Sequence, residues 1–414
     1  MLKQYKKSFC DSRRNRLEVI LDILSVTLFF GTVFSIPSVS FIKGFHYLTW
    51  IFTILLLIVF ACSLFFCYKI KIDNIVISLI AFIVFAFLST AFRGFLSLSY
   101  SYYLLTIFLI VTYMYLVSNK RIIPLFFKAI YLATIFFLVY FLLSYGKSVF
   151  SFGLTRLGDK FGDINDIAIF NGIGFTFSLY FLFFSKKVLI KSINAVFLVL
   201  FIIVILSSGS KIAYLFIPVT TILTIVCRNG KNRWWLSLIM VSAIVITIFV
   251  VLNIPSLSFI KNKIVTMLLS VFGDESSSGS SVDYSTIHRF DMFVIGMELF
   301  LRSPAFGYGI NGYRLFGGYS TGWSHNHYSE MLSAVGLVGF SLYSFPFVLT
   351  LFKSIKTKNY GATILMFFFI VVSISIVLTG EKLFAFIIGV AYASCRTDEI
   401  SHSMLKHGFS EITI

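Results

Sequence analysis

Residues 47–67 read YLTWIFTILLLIVFACSLFFC, without one charged side chain, and that run decides the fold class. A helix needs about 17 to 25 apolar residues to cross a hydrocarbon core roughly 30 Å thick. Working outward, comparable runs fall near 18–36, 74–92, 100–117, 123–144, 166–184, 192–207, 211–227, 235–253, 330–352, 360–378 and 381–394. The expected fold is therefore all-α: a polytopic integral membrane protein with about 12 transmembrane helices, residues 1–414 forming a single polytopic membrane domain. Composition agrees. At 58% hydrophobic, 12% charged and mean hydropathy +0.95, the chain lies outside the range of soluble globular proteins.

Charge gives the orientation. Lys3, Lys6, Lys7, Arg13, Arg14 and Arg16 precede the first run, which is long and followed at once by others, so an uncleaved first helix with a cytoplasmic N-terminus is expected. Every second connection then carries basic residues: Lys69 and Lys71, Lys120 and Arg121, Lys186, Lys187 and Lys191, Arg228, Lys231 and Arg233, and Lys353, Lys356 and Lys358. That is the positive-inside pattern, with both termini cytoplasmic. The net charge of +17 is spread over these loops rather than gathered on one surface, so nucleic acid is not an expected partner. Cys10, Cys227 and Cys395 fall on the cytoplasmic side and Cys62 and Cys67 inside the second run, an arrangement that makes neither an external disulfide nor a metal cluster.

Two connections are long, residues 145–165 and residues 254–329, and both fall on the external side. The second holds a Gly/Ser-rich tract at 273–281 whose composition cannot build a core. Its later part regains helical periodicity: Phe290, Phe293, Val294, Met297, Phe300 and Leu301 predict an amphipathic helix over Thr286–Leu301, lying on the membrane face or capping a cavity. Ser303-Pro304 ends it, and Gly307-Tyr308-Gly309-Ile310-Asn311-Gly312 follows. This matches GxGxxG in letters. With no strand before it and no βαβ unit around it, a tight turn is the expected structure rather than a dinucleotide site.

The external basic residues go against the topological bias and are the informative ones: Lys43, Arg93, Lys147, Arg156, Lys160, Lys211, Lys261, Lys263, Arg289, Arg302, Arg314 and Lys382. A guanidinium offers a planar fork for phosphate oxygens. Arg156 lies in the first external loop, ahead of Asn165 at the mouth of the sixth run; Lys211 closes the Ser207–Lys211 connection between two apolar runs; Arg289 stands near the start of the amphipathic stretch. Directly before the tenth run come Trp323-Ser324-His325-Asn326-His327-Tyr328-Ser329-Glu330. Ionisable groups at a membrane boundary are costly unless paired or wet, and imidazole titrates near neutrality, so His325 is a candidate general base or orienting donor. His327, two positions on, is the weaker candidate. Asn326 supports the site, and for Glu330 in the first turn of the run, capping the helix competes with catalysis.

At these residues the chain resembles the O-antigen ligase/polymerase superfamily of bacterial polysaccharide assembly. His325-Asn326-His327-Tyr328-Ser329-Glu330-Met331-Leu332, then Val335-Gly336-Leu337-Val338-Gly339, is similar to that family's HNxxLExLxxxGxxG hallmark, with Ser329 where Leu is usual. Arg156–Asn165, Ser208–Lys211 and Arg289–Gly309 resemble further family segments in the expected order, Lys211 standing where ligases usually carry Arg. The resemblance covers roughly the C-terminal two thirds. It implies a GT-C-like helical fold and a metal-independent, inverting glycosyltransferase without cofactors, working at the periplasmic face of the bacterial inner membrane. The implied partners are undecaprenyl-diphosphate-linked oligosaccharide, membrane lipid and a chain-length regulator protein. Arg156, Lys211 and Arg289 would hold the diphosphate, with His325 and Arg289 as the catalytic pair. Lys211 in place of Arg tilts the reading towards an O-antigen or capsule repeat-unit polymerase. The alternatives are the ligase that transfers glycan to a lipid A core, and a lipid-linked oligosaccharide flippase or other transporter.

Overall fold

A computed structural model describes residues 2–38, 45–68, 70–93, 100–150, 164–210, 212–228, 284–318 and 323–396. Every regular element among them is helical. In chain order these are α1 (Leu2–Ser38), α2 (Phe45–Phe66), α3 (Asn74–Phe92), α4 (Tyr100–Ser118), α5 (Ile123–Phe150), α6 (Ile164–Phe184), α7 (Val188–Ser208) and α8 (Ala213–Cys227), followed by α9 (Tyr284–Arg302), α10 (Gly312–Phe316), α11 (His327–Lys356), α12 (Tyr360–Val372) and α13 (Lys382–Cys395).

Eight of the described helices are long and apolar enough to cross a membrane, and the chain is a multi-pass membrane protein. Three of the expected runs appear as shorter apolar helices, Leu215–Cys227, Tyr360–Val372 and Lys382–Cys395, and the expected span 235–253 lies outside the described residues. The expected number of twelve is thus not reached among the described residues. On α2, Ile51, Ile54, Leu55, Ile58 and Phe65 face outward while Leu56, Val59, Phe60 and Ser63 are buried. An apolar outer belt around an apolar core is what a lipid-solvated bundle requires. Four of the buried hydroxyls are satisfied within their own helices: Thr53, Ser63, Thr90 and Thr220 each donate to the carbonyl four residues back.

The ends of the bundle are fastened by polar groups. Asp73 caps α3 by accepting the Ile75 and Val76 N–H groups, takes the Tyr113 hydroxyl from α4 at 2.5 Å, and pairs with Arg396 beyond α13 at 3.0 Å. Asp22 of α1 accepts from Tyr68, Tyr115 and Asn119. α3 runs antiparallel to α11: Ser78 near its start donates to the Leu342 carbonyl, and Ser89 near its end donates to that of Phe306. Arg93, which closes α3, therefore lies beside residues 306–308, over the Tyr308 ring.

The described residues bear on four of the expectations. Within the expected loop 145–165, residues 145–150 continue α5 and residue 164 begins α6; residues 151–163, with Arg156, lie outside the described residues, as does Lys211. The helix expected over Thr286–Leu301 forms as α9, with Phe290 and Leu301 exposed and Phe293 and Val294 at its outer side, while Met292, Gly296 and Leu299 turn inward. The helix is apolar on two sides, one packed on α10 and α11 and one left outside. The expected run 330–352 is broken: Gly336 (φ 62°, ψ −169°) interrupts α11. The run 360–378 ends as a helix at Val372, and Ser373–Ile376 form a turn whose carbonyls are used by α11.

The break in α11 is closed by the glycine turn. Tyr308 and Gly309 donate their N–H groups to the carbonyls of Ser333 and Ala334 at 2.8 and 2.7 Å, and Leu337 donates to the Pro304 carbonyl at 2.8 Å. Irregular backbone at membrane depth must find its hydrogen bonds within the protein, and residues 304–309 supply them. The GxGxxG-like letters thus form a backbone clamp on a discontinuous helix.

Candidate active site

The half-helix ahead of that break carries the His325 segment. Asn326, with extended backbone, is the N-cap of α11: its Oδ1 accepts from the Tyr328 and Ser329 N–H groups, both at 3.0 Å, leaving its amide free to donate to the Ile374 carbonyl at 3.0 Å. His327 N–H donates to the Ser373 carbonyl at 2.9 Å, and the Ser373 hydroxyl donates to Tyr328 Oη at 2.7 Å. From α9, Arg289 Nη1 donates to Ser375 Oγ at 3.0 Å. The turn Ser373–Ser375 is therefore a common platform, on which Arg289, 86 positions away in sequence, and Asn326, 48 positions away, converge.

His325 itself occupies the left-handed region, φ 52°. Outside glycine this is an uncommon conformation, strained by about 1 kcal/mol or more, and held only where neighbours enforce it. Ser324 enforces it here. Its N–H donates to Glu330 Oε2 at 2.9 Å, and its hydroxyl donates to the Asn326 carbonyl at 2.7 Å, closing a short ring around His325. Asn326 already caps the helix, and the buried Glu330 carboxylate reaches back to fix the segment preceding it.

Beside Glu330 stands a cluster that a reading of apolar runs does not find. Arg314 lies over the Trp323 ring at 5.2 Å, and Trp323 contacts Tyr102 of α4 with ring centroids 6.0 Å apart. Arg314, Glu330 and Glu381 are all within electrostatic reach of the Tyr102 hydroxyl. On the other side, Asn165 at the head of α6 accepts from the Ser210 hydroxyl at 2.7 Å, which joins two of the segments picked out in sequence. Its neighbour Asp166 shares a cavity of about 40 Å³ with Ile376 and Glu381, so the Asn165 side of the site abuts the Ser373–Ile376 turn. Arg289, His325, Asn326, Glu330 and Asn165 thus gather at one end of the bundle.

Two contacts shape this end. Gly296 of α9 lies so near Ser329 that a Cβ on it would come within 2.9 Å of the serine Cβ. Ser329, fully buried, therefore gives a physical account of the departure from the hallmark: a leucine there would push α9, and Arg289 with it, off α11. Below His327 a groove of about 260 Å³ runs between α11 and α12 towards Leu351, apolar except for His327, Tyr328, Ser373, Tyr343 and Ser344. Among the described residues the buried Nδ1 of His327 has no hydrogen-bond partner.

The arrangement can hold an anionic group near Arg289 while presenting a half-buried imidazole to a hydroxyl, in a site walled by protein and apolar helices. These residues stand on a multi-pass helical membrane bundle. Residues 196–344 match the family described as O-antigen ligase, which places that segment in the O-antigen ligase/polymerase superfamily. The match indicates ligase/polymerase-type function and a glycosyltransferase-like enzyme. It takes in Ser210, Arg289, His325 and Glu330, and leaves out Asn165 and the Ser373–Ser375 turn. No curated protein matches the chain.

Proposed function

We propose that the protein is an O-antigen or capsule repeat-unit polymerase of the bacterial inner membrane, acting at the periplasmic face by inverting, metal-independent glycosyl transfer within a GT-C-like fold. The growing glycan passes from undecaprenyl diphosphate to the non-reducing end of an incoming lipid-linked repeat. A hydroxyl oxygen of that repeat attacks the anomeric carbon, the bond from that carbon to the diphosphate breaks, and undecaprenyl diphosphate leaves. His325 orients the hydroxyl and receives its proton. Arg289, with Arg156 and Lys211 from segments outside the described residues, stabilises the charge growing on the diphosphate, where a partly water-excluded site makes such stabilisation strongest.

The observation that carries this reading is the convergence of Arg289 and the His325–Tyr328 segment on Ser373–Ser375, within a chain whose residues 196–344 match the family. The groove below His327 supports it, being apolar along its length and polar at the end nearest the site. Lys211 in place of the arginine usual in ligases favours polymerase over ligase, because lysine keeps the charge and loses the fork. A chain-length regulator is the protein partner this function calls for.

The test is chain extension by the purified protein, in detergent with EDTA, on a lipid-linked repeat. Polymer ladders that vanish in Arg289→Ala and His325→Ala, with folding intact, support the proposal; unaffected ladders refute the site. A deletion strain separates the two family activities. Loss of a polymerase leaves one repeat on the lipid A core, whereas loss of a ligase leaves none.

A further inference from the structure

Arg93 takes no part in the site so far described. It closes α3, is exposed, and lies over the Tyr308 ring at 4.8 Å. Among the described residues no carboxylate pairs with it, and residues 94–99, which follow it, contain no acid. A groove of about 470 Å³ opens beside it, walled by Phe85, Leu88, Phe92 and Phe306, with Arg93 as its one charged lining residue. Leu88, Phe92 and Phe306 are exposed, so the groove faces the medium that surrounds the bundle.

An apolar slot in the lipid-facing surface, headed by a guanidinium whose ring contact leaves its donor edge available, has the shape of a seat for a phosphate-headed lipid. Its position says which one. Gly307, which lines the groove, belongs to the clamp that grips Ser333 and Ala334, about six residues along α11 from His327. At 1.5 Å per residue that is about 9 Å of helix, before the reach of Tyr308 and Arg93 is added. A phosphate held at Arg93 therefore occupies a position distinct from His325, joined to it through the clamp. A donor diphosphate must lie at the reacting carbon itself. An acceptor diphosphate must lie one repeat unit away, because the acceptor reacts at its far end. The groove under His327 shares no lining residue with this one, so two lipid chains can be seated at once.

We propose that Arg93 and the groove walled by Phe85, Leu88, Phe92 and Phe306 hold the lipid diphosphate of the acceptor substrate. This rests on the reading that the protein joins two lipid-linked glycans.

The experiment is native mass spectrometry of the full-length purified protein titrated with undecaprenyl diphosphate, with phosphatidylglycerol and phosphatidylcholine as competitors. The wild type is expected to bind two undecaprenyl diphosphates. Arg93→Ala, an exposed change compatible with folding, and Leu88→Trp, which fills the slot, should each leave one, the second affinity falling about tenfold or more with the loss of a charge-assisted contact. Arg93→Lys should fall between. Two molecules bound equally by wild type and both variants, or one bound by all, overturns the proposal. Replacement of the second molecule by phosphatidylglycerol in the wild type, lost in Arg93→Ala, overturns it in favour of a bulk-lipid seat. If the wild type binds no undecaprenyl diphosphate at all, it is the proposed function that fails.

Discussion

Gly307 and Gly336 interlock: a Cβ on Gly307 would lie 2.4 Å from the Ala334 carbonyl oxygen, and one on Gly336 would lie 2.4 Å from that of Ala305. Each glycine also has positive φ, 67° and 62°. The clamp on the broken helix can form only because both side chains are missing, and the contacted atoms are backbone, which cannot swing aside. Gly336→Ala and Gly307→Ala should each cost several kcal/mol, since about 1–3 kcal/mol of backbone strain is joined by the steric clash. Gly318, with φ 79° and, among the described residues, nothing within 4 Å of where a methyl group would stand, is the control: Gly318→Ala should cost only about 1 kcal/mol. Thermal unfolding in detergent checks the order, and a Gly336→Ala protein as stable as wild type would remove the clamp from the account.

Ser329 and Gly296 permit a second prediction. Restoring the hallmark residue with Ser329→Leu forces a large side chain into a contact already tight at a serine, and overpacking of that kind costs about 1–3 kcal/mol. Because Gly296 has nothing left to give up, no change there can relieve it. Ser329→Ala removes only a long bond to the Asn326 carbonyl, 3.3 Å, and should be nearly neutral in stability and activity. Activity of Ser329→Leu should fall further than its stability, as α9 carries Arg289. Equal melting temperatures and equal activity for Ser329→Leu and wild type would show that α9 tolerates the displacement.

The spans are legible in sequence because a bilayer imposes length and apolarity on each helix separately, and the membrane-facing side of α2 needs no partner to be recognised. What a run cannot display is a break supported from elsewhere. Residues 330–352 read as continuous, since the glycine at 336 differs from a tolerated helical glycine only through Ala305 and Gly307 of a distant turn. Residues 360–378 read as one span for the same reason: Ser373 and Ser375 are acceptable in a membrane helix, and only Asn326, His327 and Arg289 reveal that the chain turns there. Arg289, His325, Asn326 and Asn165 stand out through charge and polarity at span ends. Arg314, Trp323 and Tyr102 do not stand out as a group, because an aromatic residue inside a run carries no mark of the side it faces.

Glu330 separates two roles. If its carboxylate serves to hold Ser324, and through it the left-handed His325, then Glu330→Gln, which keeps a carbonyl oxygen as acceptor, should retain much of the fold and of the activity. Glu330→Ala leaves the buried Ser324 N–H without a partner, a cost of about 1–3 kcal/mol, and should lower kcat more than it raises KM. Steady-state kinetics on both variants decide the matter. A Glu330→Gln enzyme as inactive as Glu330→Ala would mean the carboxylate acts on substrate directly.

Arg289 and Ser375 test whether the platform matters beyond the guanidinium. Arg289→Ala should abolish transfer with the melting temperature within a few degrees of wild type, since α9 keeps its packing through Met292 and Leu299. Arg289→Lys keeps charge without the fork and should retain a small fraction of activity, because a point charge cannot both donate to Ser375 and address a phosphate in the same plane. Ser375→Ala removes one hydrogen bond to a charged group, worth about 1.5–3 kcal/mol at most, and leaves the arginine in place. It should therefore raise KM for the lipid-linked donor by roughly tenfold, by loosening the guanidinium, while Arg289→Ala reduces kcat. If Ser375→Ala instead matches wild type in both constants, the turn beneath Arg289 is a scaffold for α11 alone, and the guanidinium is oriented by other contacts of α9.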